Sequence, residues 1–264
     1  MKHYYAIGDL HGDFRPIRDF VQRYIPLSKE TANGDDNIII CLGDFGGNYF
    51  FNYRDDNFKK KLGKYPFTYF VIRGNHEQRP SIIAKENPDA WHQEYYFENK
   101  VLVEDAYPYI KYALDEPTMY NIAGTRTLVL PGAYSIDKFY RLQNGWSWFE
   151  HEQMTEAEME RGRELIKECE NSFDLVLSHT CPIIFEPTDL FLSNVDQSTV
   201  DKTTERFLGE VEYNIDYSLW LWGHYHADRI YPGTENGERI MLMHKVLRLD
   251  PFILNTGTWV AQFL

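Results

Sequence analysis

His3-Tyr4-Tyr5-Ala6-Ile7-Gly8-Asp9-Leu10-His11-Gly12 joins a short apolar run to a turn that carries an acid and an imidazole. The run is too short for a helix and rich in aromatic side chains, so it reads as a strand, and glycine on either side of the polar residues lets the backbone turn sharply. The same pairing recurs along the chain. Residues 37–42 run into Gly43-Asp44-Phe45-Gly46-Gly47-Asn48, and residues 67–72 are soon followed by Gly74-Asn75-His76-Glu77. Residues 174–177 end in Ser178-His179-Thr180, and residues 219–222 in Gly223-His224-Tyr225-His226.

Further apolar runs at 126–130 and 240–246 also read as strands. Between them, residues 155–170 have helical spacing, with Thr155 and Glu158 placed for a capping box and an inward stripe of Leu165, Ile166 and Cys169. Residues 198–211 form a second helical candidate with Val200, Phe207, Leu208 and Val211 on one side. Strands alternating with helices predict an α/β layered architecture. No repeat, linker or charge block divides the chain, so residues 1–264 read as a single domain. Residues 133–153 form an aromatic-rich, irregular excursion that also carries Asp137, Lys138 and Arg141, which suits a surface segment beside a site.

In an open α/β sheet ligands bind outside the carboxyl ends of the strands, so the five turns are expected to converge on one rim. One Gly-Asp turn would be ordinary turn chemistry. Five turns in order, holding five of the nine histidines, have no such reason to follow buried strands. Carboxylate, imidazole and amide donors without thiolate suit Mn, Fe or Zn in a reactive site better than a structural zinc.

The ordered set D-x-H, G-D, G-N-H-E, H and G-H-x-H, from Asp9 to His226, resembles the calcineurin-like metallophosphoesterases. The resemblance implies two facing mixed β-sheets flanked by helices, a four-layer sandwich, with two divalent or trivalent metal ions at the strand ends. It implies Asp9, His11 and His226 as ligands of one metal, Asn75, His179 and His224 as ligands of the other, and Asp44 as the bridge. Two metals so held stabilise both the attacking and the leaving oxygen of an in-line displacement, with a metal-bound hydroxide as attacking group. By the same resemblance His76 protonates the leaving oxygen. Asn75 is neutral, so the site keeps an excess of positive charge for an anionic substrate.

The chain is also partly similar to the Ser/Thr phosphoprotein phosphatase branch, through residues 8–14 and 73–77. That branch reads G-D-x-x-D-R-G at the second motif, where this chain has Gly47 in place of the acid that orients the catalytic His and Asn48 in place of the phosphate-gripping Arg. Asn48 is then a weaker neutral donor to phosphate, and Arg79 and Arg141 are candidates to replace the missing guanidinium. Arg73, His151 and His244 read as structural or surface residues, Trp220 and Trp222 as core, Cys181 as no ligand, and residues 196–201 as a polar loop leading to a helix cap.

The 264 residues carry 27 Lys and Arg against 40 Asp and Glu, a formal charge of -13. Such a surface repels nucleic-acid backbone and anionic membranes, so an anionic substrate must be met at the site itself. Three cysteines form no disulfide framework, and the absence of an export signal or long apolar span predicts a cytoplasmic protein. The expected function is hydrolysis of phosphomonoesters, in a phosphoprotein or a small phosphorylated metabolite. The alternatives are a phosphodiesterase or pyrophosphohydrolase acting on nucleotides, and a non-catalytic metal-binding scaffold.

Overall fold

A computed structural model of the chain describes residues 2–24, 36–193, 195–234, 236–243, 245–251 and 259–264. Its first half runs β1 (His3–Ile7), α1 (Arg15–Tyr24), β2 (Asn37–Cys41), α2 (Tyr53–Leu62), β3 (Thr68–Val71), α3 (Pro80–Glu86), β4 (Trp91–Tyr96), β5 (Asn99–Glu104) and β6 (Ile110–Tyr112). The second half runs β7 (Thr118–Ile122), β8 (Thr125–Leu130), α4 (Lys138–Gln143), α5 (Glu156–Glu168), β9 (Leu175–Ser178), α6 (Thr203–Asn214), β10 (Leu219–Trp222), β11 (Arg229–Thr234), β12 (Gly237–Met241), β13 (Leu247–Pro251) and β14 (Trp259–Phe263).

The strands form two mixed sheets, one ordered β14-β13-β1-β2-β3-β6-β5-β4 and the other β11-β12-β10-β9-β8-β7. Period-two alternation decides which side chain enters which layer. Tyr4, Ala6, Ile38 and Ile40 from the first sheet meet Val129, Leu175, Leu177, Leu219 and Leu221 from the second in a central core. The intervening residues Tyr5, Ile7, Ile39 and Cys41 face the opposite way, onto Ile17 and Phe20 of α1 and Phe58 of α2. Val176, Trp220 and Trp222 likewise pack on Met159 and Ile166 of α5 and Phe207, Leu208 and Val211 of α6. Helices therefore cover the outer face of each sheet, as the resemblance implies, and strands buried on both faces account for their unbroken apolar runs.

Three expectations shift. The helix expected from 198 begins at Thr203, because residues Gln197–Thr199 form a separate 3-10 turn held by the Asp196 side chain. The run 240–246 is not one strand. It ends β12 in the second sheet and crosses to β13 in the first, and its apolar Leu242 lies in the central core on the way. The excursion 133–153 contains a short helix, α4. No helix among the described residues is long and apolar enough to cross a membrane.

Candidate metal centre

β1, β2 and β3 are parallel neighbours in one sheet and β9 and β10 in the other, so their carboxyl ends lie on a common rim. The turns beyond them need unusual backbone. His11, Asp44, His224 and His226 all have φ between 44° and 69°, a region that non-glycine residues adopt at a cost. Two glycines make the approach possible. A Cβ on Gly43 would fall 2.1 Å from His179 Nδ1, and one on Gly74 would fall 2.1 Å from Asp44 Oδ1.

The seven polar side chains come together in two groups about Asp44. Asp9, His11 and His226 form one, with His11 Nε2 2.9 Å from His226 Nε2. Asn75 Oδ1 centres the other, 2.8 Å from His179 Nε2 and 3.2 Å from His224 Nδ1. Asp44 lies between, with Oδ2 3.7 Å from His11 Nε2 and Oδ1 3.5 Å from His179 Nε2.

The protonation of these groups shows what the cluster fits. His179 Nδ1 lies 2.7 Å from the Leu42 carbonyl oxygen and must donate to it, while burial lowers the ring's pKa and keeps it neutral. Its Nε2 then has only a lone pair to present to Asn75. The Asn75 amide is oriented in turn by Nδ2, which donates to Ser135 Oγ at 2.8 Å, and that hydroxyl donates to Glu152 Oε2 at 2.5 Å. Two acceptors thus face each other at 2.8 Å, an arrangement that a cation satisfies and a hydrogen bond does not. Burial and the neighbouring Asp44 also push the Asp9 carboxyl well above the usual range. Asp44 is the opposite case. Burial pushes it up, yet it is held well below the carboxylate range, with His76 first among the groups that lower it.

His76 stands at the edge of the cluster. Its backbone N–H donates to Asp44 Oδ1 at 2.8 Å, and its ring approaches Asp44 Oδ2 at 3.6 Å and Asp137 Oδ1 at 3.6 Å. Arg141 lies against the ring, with one guanidinium nitrogen 3.0 Å from each ring nitrogen, and pairs through Nε with Asp137 at 2.8 Å. Burial lowers the His76 pKa, yet Asp44 and Asp137 more than offset it and the net shift is upward.

Residues 3–228 match the calcineurin-like phosphoesterase family. The chain belongs to that family. No curated protein matches it. Among solved structures, TT1561 of Thermus thermophilus superposes with a TM-score of 0.53 at 14% identity, over 99% of this chain and 98% of that one. A dimetal phosphatase from Danio rerio gives 0.54 at 10% identity, over 99% and 95%. GAP50, the anchor in the inner membrane complex of Plasmodium, gives 0.52 at 10% identity, over 100% and 84%. At these identities the likeness is one of fold. The calcineurin-like family implies a dinuclear metal site, and the clusters at the rim supply donors for one.

Of the residues expected to contact substrate, only Arg141 reaches the cluster. Arg79 is turned away, and its guanidinium binds the carbonyls of His151 and Gln153 and the carboxylate of Glu158, clamping the excursion to α5. Asn48 is buried below the turn, where Oδ1 lies 3.4 Å from Lys59 Nζ. Arg79 is taken up by its nearest complementary partners, as buried polar groups are, and Asn48 is withdrawn from the surface by burial. Arg73 is structural, donating to the carbonyl of Glu152 and approaching Asp115 at 3.2 Å. Trp220, Trp222 and Cys181 lie in the outer core, His151 is exposed, and His244 falls outside the described residues.

Asp137, Ser135 and Glu152 also join the site, and of the three only Asp137 has a sequence signal, as one of the charged residues of the excursion. All three lie in the excursion, whose aromatic richness is visible in sequence, but no spacing ties them to Asn75 or His76.

Proposed function

We propose that this chain hydrolyses phosphate monoesters, small phosphorylated molecules or phosphoprotein, at two metal ions. Asp9, His11 and His226 would hold one metal and Asn75, His179 and His224 the other, with Asp44 shared. Two such cations, with Mn, Fe and Zn all suited to these donors, draw in the phosphate and acidify bound water. The chain's own part is positional. Leu42 and Ser135 orient His179 and Asn75, and the backbone amides of His76 and His224 hold Asp44 and Asp9. As the oxygen of water bonds to phosphorus and the ester P–O bond breaks, His76 gives its proton to the leaving oxygen, which departs as an alcohol.

The observation that carries this reading is His76 at the open edge of the donor cluster, braced by Asp137 and Arg141. A scaffold that only bound metal would not need a raised imidazole there. The three free thiols suit a reducing cytoplasm. One observation favours a phosphodiester instead. Arg141 already contacts Asp137, Tyr49 and the Ser147 carbonyl, which leaves it poorly placed to grip a dianion with two parallel bonds.

Turnover of a chromogenic phosphomonoester and its diester analogue, on protein stripped with chelator and reloaded with Mn, tests the reading. Preference for the monoester is expected. Diester preference would replace it with the second reading, and turnover of neither, in protein that takes up two metals, would leave a scaffold.

A further inference from the structure

Beside His76 the donor cluster opens into a cavity of ≈ 380 Å³, a volume in the range of small-molecule sites. Beyond the cluster its apolar and aromatic lining is Tyr134 and Ile136 from the excursion, Leu190, Phe191, Leu192 and Val200 from the segment between β9 and α6, and Tyr225. Phe191 stacks on Tyr225 with ring centroids 6.3 Å apart and planes at 22°, so the aromatic part of this surface is already formed.

The charges on this lining are as informative as the apolar groups. Among the described residues no Lys or Arg lines the cavity. Its carboxylates are answered in part. Glu186 accepts from Lys202 Nζ at 2.9 and 2.7 Å with its two oxygens, and Asp137 pairs with Arg141. Glu205 accepts from the Thr180 hydroxyl at 2.9 Å through one oxygen while the other is buried without a hydrogen bond, and burial pushes its carboxyl up to about 7, so much of it is neutral near that pH. A second anionic group on the substrate finds no Lys or Arg on the cavity wall, and much of the wall beyond the cluster is apolar or aromatic, which favours an uncharged apolar body over a hydroxylated one.

We propose that this cavity holds the alcohol side of the ester, and that the substrate is a phosphate ester of an uncharged alcohol with an apolar aryl or branched-alkyl body. The inference rests on the phosphoesterase reading above and narrows it to phosphate esters of apolar alcohols.

The test compares kcat/KM of the Mn-loaded protein for benzyl phosphate, glycerol phosphate and phosphocholine, all of which release an alkyl alcohol. Benzyl phosphate should lead by about tenfold or more, the discrimination a fitted apolar pocket supplies. The lead should fall toward parity in Phe191→Ala, and also in Leu190→Ser, a change at an exposed position that leaves the core intact. In parallel, saturation-transfer NMR with benzylphosphonate and methylphosphonate reads the cavity without turnover, and the benzyl compound should bind more tightly in the wild type than in either variant. Equal rates, or a lead for glycerol phosphate or phosphocholine, would overturn the inference and leave the phosphoesterase standing. No turnover of any ester with benzylphosphonate still preferred would overturn the phosphoesterase reading and keep the apolar selectivity of the cavity. No preference in either measurement would overturn the inference outright.

Discussion

Asp44 is the residue on which both halves of the donor cluster depend, because its two oxygens face different imidazoles. Asp44→Asn removes one anionic oxygen from a shared position and is expected to abolish metal uptake and turnover together, as read by metal content and rate. Asp9 responds differently. Its carboxyl is destabilised by burial and by Asp44, so Asp9→Asn should lower metal content yet raise the stability of the chelated protein in urea unfolding. The opposite sign would mean that the two carboxylates do not repel in the folded state. His76 coordinates nothing in the proposed arrangement, and His76→Asn should keep both metals while lowering turnover roughly 100-fold or more. Asp137→Asn should keep the metals and cost less, because Asp137 acts through His76.

Among the helices and strands, sequence speaks unevenly. The capping box at α5 is legible from Thr155 and Glu158 alone, and both of its hydrogen bonds are present. Thr155→Ala should lower stability by about 1 kcal/mol, measured by urea unfolding. The hairpin of β4 and β5 is not legible. Its turn residues Phe97 and Glu98 both have positive φ, where Asn and Gly are the usual signal, and β4 carries His92, Gln93 and Glu94 in place of an apolar run. Within α6, Glu205 is a buried acid with a pKa raised from 4.5 to about 7. A carboxyl raised in the folded state contributes stability that is complete below about pH 4.5 and is lost as the pH rises through 7. Glu205→Gln removes that loss. The variant should therefore gain on the wild type by up to about 3 kcal/mol between pH 5 and pH 8 in chelated protein. A stability difference that did not change with pH would show that Glu205 titrates as an exposed acid.

For the molecule as a whole, strands that deliver donors from both sheets to one rim make metal binding a tie between the layers. Adding Mn to the chelated protein should raise its melting temperature in step with occupancy, since a ligand that binds only the folded state stabilises it by mass action. The α/β class, the strand ends and the ordered Asp, His and Asn turns follow from the order of residues alone. Those features are local, being set by burial on both faces of short strands and by the backbone freedom of the adjoining glycines. It takes the packed molecule to show that Arg79 is spent on the scaffold, that Asp137 and Arg141 reach His76, and that Ser135 and Glu152 orient Asn75. Each of these contacts joins a strand end or the turn just beyond it to a distant segment, and which polar group reaches which depends on how the excursion is laid across the rim, a long-range packing outcome that no periodicity records.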